Sequence, residues 1–131
     1  MSKQFKHKVK IYYEDTDSGG VVYYANYLKY LERARSEAIY SLGFTHANLQ
    51  KDHDTLIIVK SCNIEYKKPA KFEDELEIIS SILSKTKTSF TMLQLIKKNE
   101  EIISEATVQL VTVNKEGKPI KIPEILNNLL N

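Results

Sequence analysis

The chain has 131 residues, 42% hydrophobic and 27% charged, with 19 Lys+Arg against 17 Asp+Glu and a formal net charge of +2. That length predicts one domain around one core, and the apolar content excludes a disordered chain. The near balance of charge argues against a dedicated nucleic-acid binder, which carries a basic surplus. One cysteine, Cys62, excludes an internal disulfide, and the absence of any CxxC or Cys/His cluster argues against structural zinc. No apolar run reaches membrane-spanning length and the first residues form no apolar signal core, so the expectation is a soluble, cytoplasmic protein without membrane insertion.

In chain order, Phe5 to Tyr13 alternates: Phe5, His7, Val9, Ile11 and Tyr13 fall on one face, Lys6, Lys8 and Lys10 on the other. Period two over nine residues predicts a half-buried strand. Glu14 to Gly20 breaks the pattern, and the pair Gly19-Gly20 with its Asp and Ser neighbours predicts a turn with unusual backbone angles. Asn26 is the expected N-cap of a helix. Tyr27, Tyr30, Leu31, Ala34, Ala38 and Leu42 then recur at helical spacing, and Gly43 supplies the stop. At 1.5 Å per residue this helix spans about 24 Å. Arg33 and Glu37, four apart, are expected to pair on its surface.

Thr45 to Asp54 reads as a polar loop. Leu56 to Tyr66 reads as a strand that opens on a continuous apolar run, with Lys60 a charge inside it and Cys62 expected to be buried. Leu76 to Leu83, Ser89 to Ile96 and Ile102 to Val113 follow as consecutive antiparallel hairpins. Pro123 is expected at the first position of a short C-terminal helix carrying Ile125, Leu126, Leu129 and Leu130. The fold class is therefore α+β, in the order β-α-β-β-β-β with a short C-terminal helix. A long helix and a five-stranded antiparallel sheet need each other to bury their apolar faces. A sheet this small leaves edges, and pairing with a second copy removes one, so self-association is expected.

The chemistry concentrates in Tyr12-Tyr13-Glu14-Asp15-Thr16-Asp17-Ser18-Gly19-Gly20-Val21-Val22-Tyr23-Tyr24-Ala25-Asn26-Tyr27. A carboxylate on a glycine turn precedes the N-terminus of the main helix. Unpaired N–H groups and the helix dipole at that end hold anions, including the oxyanion formed when a carbonyl is attacked. A base or nucleophile beside such donors is the minimum for acyl transfer, and Asp17 is placed for it. Asp15 reads as a structural, turn-capping carboxylate. The run from Asp15 to Gly20 also has the start of a calcium loop, but Gly19 stands at its fifth position and Asn26 at its twelfth, where acidic ligands belong. No Gly-x-Ser-x-Gly elbow supports a serine hydrolase. His7, His46 and His53 lack metal-ligand spacing.

The segment at 12–23, followed by Ala25-Asn26-Tyr27 and Glu32-Arg33-Ala34-Arg35-x-Glu37, resembles the YbgC branch of the 4-hydroxybenzoyl-CoA thioesterase family. Tyr66-x-x-Pro69-Ala70, the strand order and the length also fit. The resemblance implies the hotdog fold, a five-stranded sheet wrapped around one long helix. It also implies acyl-CoA thioesterase activity over a single domain spanning residues 1–131. Placed on this chain, the family's catalytic carboxylate is Asp17, and the backbone N–H of Tyr24 at the helix start polarises the thioester carbonyl. Gly20, Val21, Val22, Val59, Lys60 and Ser61 are the expected substrate-binding residues. YbgC-type sequences often carry His where this chain has Tyr24, so proton transfer here falls to water or to Asp17.

The resemblance implies no metal and no separate cofactor, CoA being part of the substrate. It implies a homodimer or homotetramer with active sites at the subunit interface. The phosphates of CoA call for Lys or Arg near the pocket mouth, with Lys60, Lys67, Lys68, Lys71, Lys85 and Lys87 available. Asp17 acts either as the base that activates water or as a nucleophile forming a mixed anhydride. The alternative reading is a non-catalytic acyl-CoA or acyl-carrier-protein binding module of the same fold. A hotdog hydratase is the third, disfavoured because no His falls in the motif.

Overall fold

The computed structural model describes residues 3–131. Strand β1 (Gln4–Lys10) leads through a 3-10 turn (Tyr13–Asp15) to helix α1 (Asn26–Ser41) and helix α2 (His46–His53). Strands β2 (Leu56–Tyr66), β3 (Glu75–Lys85), β4 (Ser89–Lys98) and β5 (Glu101–Val113) follow, and helix α3 (Glu124–Leu129) closes the chain. The five strands form one antiparallel sheet in the order β1-β3-β4-β5-β2. The consecutive hairpins β3-β4-β5 make its centre, and β1 and β2 are its edges.

Helix α1 lies on one face of the sheet. It buries Tyr27, Tyr30, Leu31, Ala34, Ala38 and Ile39 against a core that includes Ile78 of β3, Met92 and Ile96 of β4, and Val108 and Leu110 of β5. Each fully buried aliphatic side chain of this kind contributes about 1.5–3 kcal/mol. The helix stops where expected. Gly43 takes φ +94°, its N–H donates to the Tyr40 carbonyl (3.0 Å), and the Phe44 N–H donates to the Ile39 carbonyl (3.3 Å). This paired arrangement satisfies the last carbonyls of the helix and suits glycine at the left-handed position.

One polar network threads the core. Gln94 on β4 is fully buried. Its Nε2 donates to the Leu31 carbonyl (3.1 Å) and to Ser80 Oγ (3.0 Å), and its Oε1 accepts from an Arg35 Nη (3.0 Å). Sheet, helix and a half-buried cation are thereby held in one register.

Several expectations need correction. The first strand ends at Lys10 rather than Tyr13. The Tyr12 N–H turns to Asp15 Oδ2 (2.9 Å), which starts the 3-10 turn and leaves Tyr13 exposed. Residues 46–53 form a helix rather than a loop, because Thr45 caps it by accepting the Asn48 N–H (3.0 Å). Asn26 is the first helical residue instead of the N-cap, and its Nδ2 donates to the Asp15 carbonyl (2.9 Å). Pro123 is an N-cap rather than the first helical residue, and Ile125 is exposed while Leu126 and Leu130 are buried. Cys62 is exposed. It stands opposite buried Val108 of β5, within the exposed run Ile58 to Asn63 of edge strand β2. Among the described residues the ion pairs are Lys68–Glu101 (2.5 Å) and Lys98–Asp74 (2.9 Å), not Arg33–Glu37.

Candidate active site

The loop between the 3-10 turn and α1 is tied down on both sides. Thr16 and Val22 face each other across it, the Asp17 N–H donates to the Val21 carbonyl (2.9 Å), and the Gly20 N–H donates to the Asp17 carbonyl (3.1 Å). Val21 bridges to Lys71, and the Val22 N–H donates to the Ala70 carbonyl (2.8 Å). Buried Ala70 is held in turn by the Tyr27 hydroxyl, which accepts its N–H at 3.1 Å. Burial raises the Tyr27 pKa, keeping this hydroxyl protonated. Asp74 closes the neighbouring turn by accepting the Lys71 N–H (2.9 Å). Burial alone would raise its pKa, but the Lys98 ammonium and the Lys71 bond outweigh that and hold it below its ordinary value.

Asp17 is exposed, and its Oδ1 accepts the Gly19 N–H at 2.8 Å. The two glycines do different work. Gly20 takes φ +82°, which favours glycine. A Cβ on Gly19 would sit 3.3 Å from Asp17 Oδ1 and crowd the carboxylate. Oδ2 of Asp17 has no hydrogen-bond partner among the described residues. Asp15 takes the structural role: it is buried, its carboxylate receives Tyr12, and its carbonyl receives both Asn26 and the Tyr23 N–H (3.1 Å).

The tip of α1 carries no side-chain cap. The N–H groups of Asn26, Tyr27 and Leu28 turn back to the carbonyls of Tyr23, Tyr24 and Ala25, at 2.9, 3.2 and 3.3 Å. The N–H groups of Tyr24 and Ala25 have no acceptor among the described residues. A loop carboxylate and a helix tip with two spare donors are the parts acyl transfer requires. The aromatic side chains of Tyr23 and Tyr66 flank Tyr24, with ring centroids at 5.0 and 6.0 Å, and the Tyr66 hydroxyl donates to the Tyr24 carbonyl (3.3 Å). Tyr66, the last residue of β2, thus ties the sheet edge to the helix tip.

The remaining expected residues lie elsewhere on the chain. Gly20, Val21 and Val22 are in the loop itself. Val59, Lys60 and Ser61 sit five to seven residues from Tyr66 along β2, roughly 17–23 Å at strand rise. The register of β2 against β5 shifts between Val59 and Ser61, so Lys60 is the extra residue of a bulge and has no partner in the ladder. That explains a charge in an apolar strand without assigning it a ligand. Of the candidate lysines, Lys68 is paired with Glu101, and Lys85 donates to the Asn127 carbonyl and side chain (both 3.0 Å) and to Asn131.

Sequence reasoning missed a second feature. An apolar cavity of about 130 Å³ lies between the C-terminal half of α1, α2 and the inner face of the sheet. Phe5, Ala38, Ile57, Val59, Phe90 and Leu130 are among its walls, and Glu32, Arg35, Ser36 and His46 add polar groups to its lining. Ser36 Oγ donates to Glu32 Oε1 (3.1 Å) and lies 3.2 Å from His46 Nε2. Burial lowers the Arg35 pKa, against the opposing pull of Glu32. These residues come from five separate elements and the C-terminus, so no local pattern announces them.

This fold matches known proteins. The thioesterase superfamily profile matches residues 19–104. The chain belongs to the thioesterase superfamily, and its sheet wrapped around one long helix is the hotdog fold. Among its relatives are the acyl-CoA thioesterase YbgC of Haemophilus influenzae, 36% identical over 92% of this chain and 89% of that protein, and the acyl-CoA thioester hydrolase YbgC of Escherichia coli O6:H1, 38% identical over 92% and 90%. The crystal structure of a probable thioesterase from Bartonella henselae superposes with TM-score 0.88 at 31% identity, over 92% of this chain and all of that one. The profile begins two residues after Asp17, so the match itself carries no statement about that carboxylate. Among the described residues no helix is long and apolar enough to cross a membrane, and no group of three His, Cys, Asp or Glu side chains is arranged to hold a metal.

Proposed function

We propose that this single domain hydrolyses acyl-CoA thioesters in the cytoplasm, with Asp17 as the acting carboxylate and the Tyr24 N–H as the donor to the reacting carbonyl oxygen. The observation that carries the reading is the helix tip: two N–H groups without acceptors among the described residues stand at the end of a loop whose one exposed acid is pinned by its own turn. Attack on a thioester converts the carbonyl oxygen to an oxyanion, and fixed N–H donors stabilise that charge more than the ground-state carbonyl. Asp17 activates water, which adds to the carbonyl carbon; the tetrahedral intermediate then expels the CoA thiolate. The Ala25 N–H is the second donor. CoA is part of the substrate and the reading invokes no other cofactor.

The site is completed by a second copy. Edge strand β2 exposes Ile58 and Val59 at 46% and 48%, and its unpaired backbone edge is of the kind that pairs with another strand. Pairing of two β2 edges makes one ten-stranded sheet and brings Val59, Lys60 and Ser61 of one copy toward the helix tip of the other. That accounts for their distance from Tyr66 at the helix tip within one chain. Two such dimers joining into a tetramer, and an acyl carrier protein as an alternative thioester donor, belong to the same proposal.

The deciding experiment is Asp17→Asn. The amide oxygen still accepts the Gly19 N–H, so the loop and the melting temperature are kept, while the base is gone. Expected is a fall in kcat of about 10²–10⁴ in a thiol-release assay. Full activity in a folded Asp17→Asn protein removes Asp17 from the reaction.

A further inference from the structure

We infer that Tyr66 is a positioning residue of the proposed reaction: its hydroxyl, bonded to the Tyr24 carbonyl, holds and polarises the peptide unit whose N–H, that of Ala25, is the second donor to the oxyanion. The inference rests on the proposed hydrolysis and adds to it a side chain that acts through the backbone.

The peptide geometry carries it. The Tyr24 carbonyl and the Ala25 N–H belong to one planar unit, so whatever fixes the oxygen also aims the hydrogen. The oxygen accepts two hydrogen bonds, from the Tyr27 N–H at 3.2 Å and from the Tyr66 hydroxyl at 3.3 Å. The N–H at the other end has no acceptor among the described residues. Charge drawn toward the bonded oxygen leaves that N–H a stronger donor, because hydrogen bonds in a chain polarise one another. The preceding unit, from Tyr23 to Tyr24, has its oxygen held by the Asn26 N–H at 2.9 Å. Both free donors thus belong to units anchored at their far ends, and of these three anchors only Tyr66 comes from a side chain.

Tyr66 is itself held in place. It is the last residue of β2 and stands opposite Ser104 in the ladder. The N–H groups of Lys67 and Lys68 both donate to the Ile103 carbonyl, at 2.9 and 3.1 Å, which fixes the chain just beyond it. Its ring packs against Tyr27 and Tyr24, with centroids at 5.2 and 6.0 Å. Desolvation, reinforced by Cys62, Tyr24 and Tyr27, raises its pKa, so the hydroxyl remains a donor. Water can solvate the Tyr24 carbonyl in place of the hydroxyl, but its direction is not fixed, and donors aimed in advance are what lower the barrier.

The test is Tyr66→Phe, which keeps the ring and removes the hydroxyl. Losing an oxyanion donor outright costs about 10²–10³ in rate, and one hydrogen bond strengthens the next by about 10–30%, so kcat in a thiol-release assay is expected to fall about two- to eightfold. KM stays within about twofold, because the interaction strengthens only in the transition state. Two probes that cannot be hydrolysed are titrated by calorimetry: trifluoroacetonyl-CoA, whose hydrated ketone presents a tetrahedral oxygen to the same donors, and trifluoropropyl-CoA, which lacks that oxygen. Wild-type protein is expected to favour the ketone, and Tyr66→Phe to lower the ketone-to-thioether affinity ratio by the factor it takes from kcat. Tyr66→Leu, which removes the ring as well, is expected to lose more stability but show the same ratio, so either folded variant reports the hydroxyl. A folded variant with the wild-type ratio, or one that weakens both probes equally, overturns the inference and leaves Tyr66 a packing residue. Wild-type protein that binds the ketone no better than the thioether defeats the donor role of the helix tip, and the inference with it.

Discussion

Gln94→Leu is the perturbation whose cost the structure lets one work through. The leucine fits the apolar surroundings, but three hydrogen bonds go with the amide. The Leu31 carbonyl remains within the ladder of α1 and loses little. Ser80 Oγ, fully buried, and the Arg35 guanidinium, half-buried and charged, are left without their partner. Each orphaned group costs about 1–3 kcal/mol, and the gain from burying leucine offsets part of it. The expected net loss is about 2–4 kcal/mol. With an unfolding entropy of about 2.1 cal/mol/K per residue over 131 residues, the melting temperature falls by about 7–15 °C. Thermal melts followed by circular dichroism at one fixed protein concentration measure this, the concentration being fixed because self-association shifts the midpoint. A Gln94→Leu protein that melts within 2 °C of wild type would refute the view that this network holds helix to sheet.

Three further outcomes are expected. Tyr24 occupies the second position of the turn from Tyr23 to Asn26, where proline is tolerated, so Tyr24→Pro removes the helix-tip N–H with little damage to the fold; steady-state assays should show kcat down about 10²–10³, whereas Tyr24→Ala, which keeps the N–H, stays within a few fold. Thr45→Ala removes the cap of α2 and should cost about 1 kcal/mol in chemical denaturation, with an unchanged denaturant slope. The depressed pKa of Asp74 stabilises the fold above the ordinary carboxylate value of 3.8, and that contribution is lost as pH falls through the lower folded value; the melting-temperature gap between wild type and Asp74→Asn should therefore shrink below about pH 4.

The long helix and the β2 strand were legible because their signals are local: a 3.6-residue apolar stripe ending at Gly43, and an apolar run bounded by polar loops. Helix α2 was not, because Leu49 is its one buried residue and a single contact makes no periodicity. Its readable sign was Thr45 ahead of a run without breakers. Cys62 looked buried because strand patterns do not say which strand lies at the edge. Asp15 was legible as a turn carboxylate, and its bond from the Tyr12 N–H gives it that place; Asp17, two residues on, is exposed on its own turn. The cavity was illegible in principle, since its walls meet only after the chain has folded.

The bond between Asp17 and the Gly19 N–H has a consequence for anyone redesigning this protein. Reach and loop shape are set by the same short side chain, so glutamate at 17 is no gentle swap: its extra methylene moves the oxygen out of register with Gly19 and releases the hinge of the loop. Tuning the acid's advance toward a substrate thus begins with new backbone between residues 17 and 20, and only afterwards with a new residue at 17.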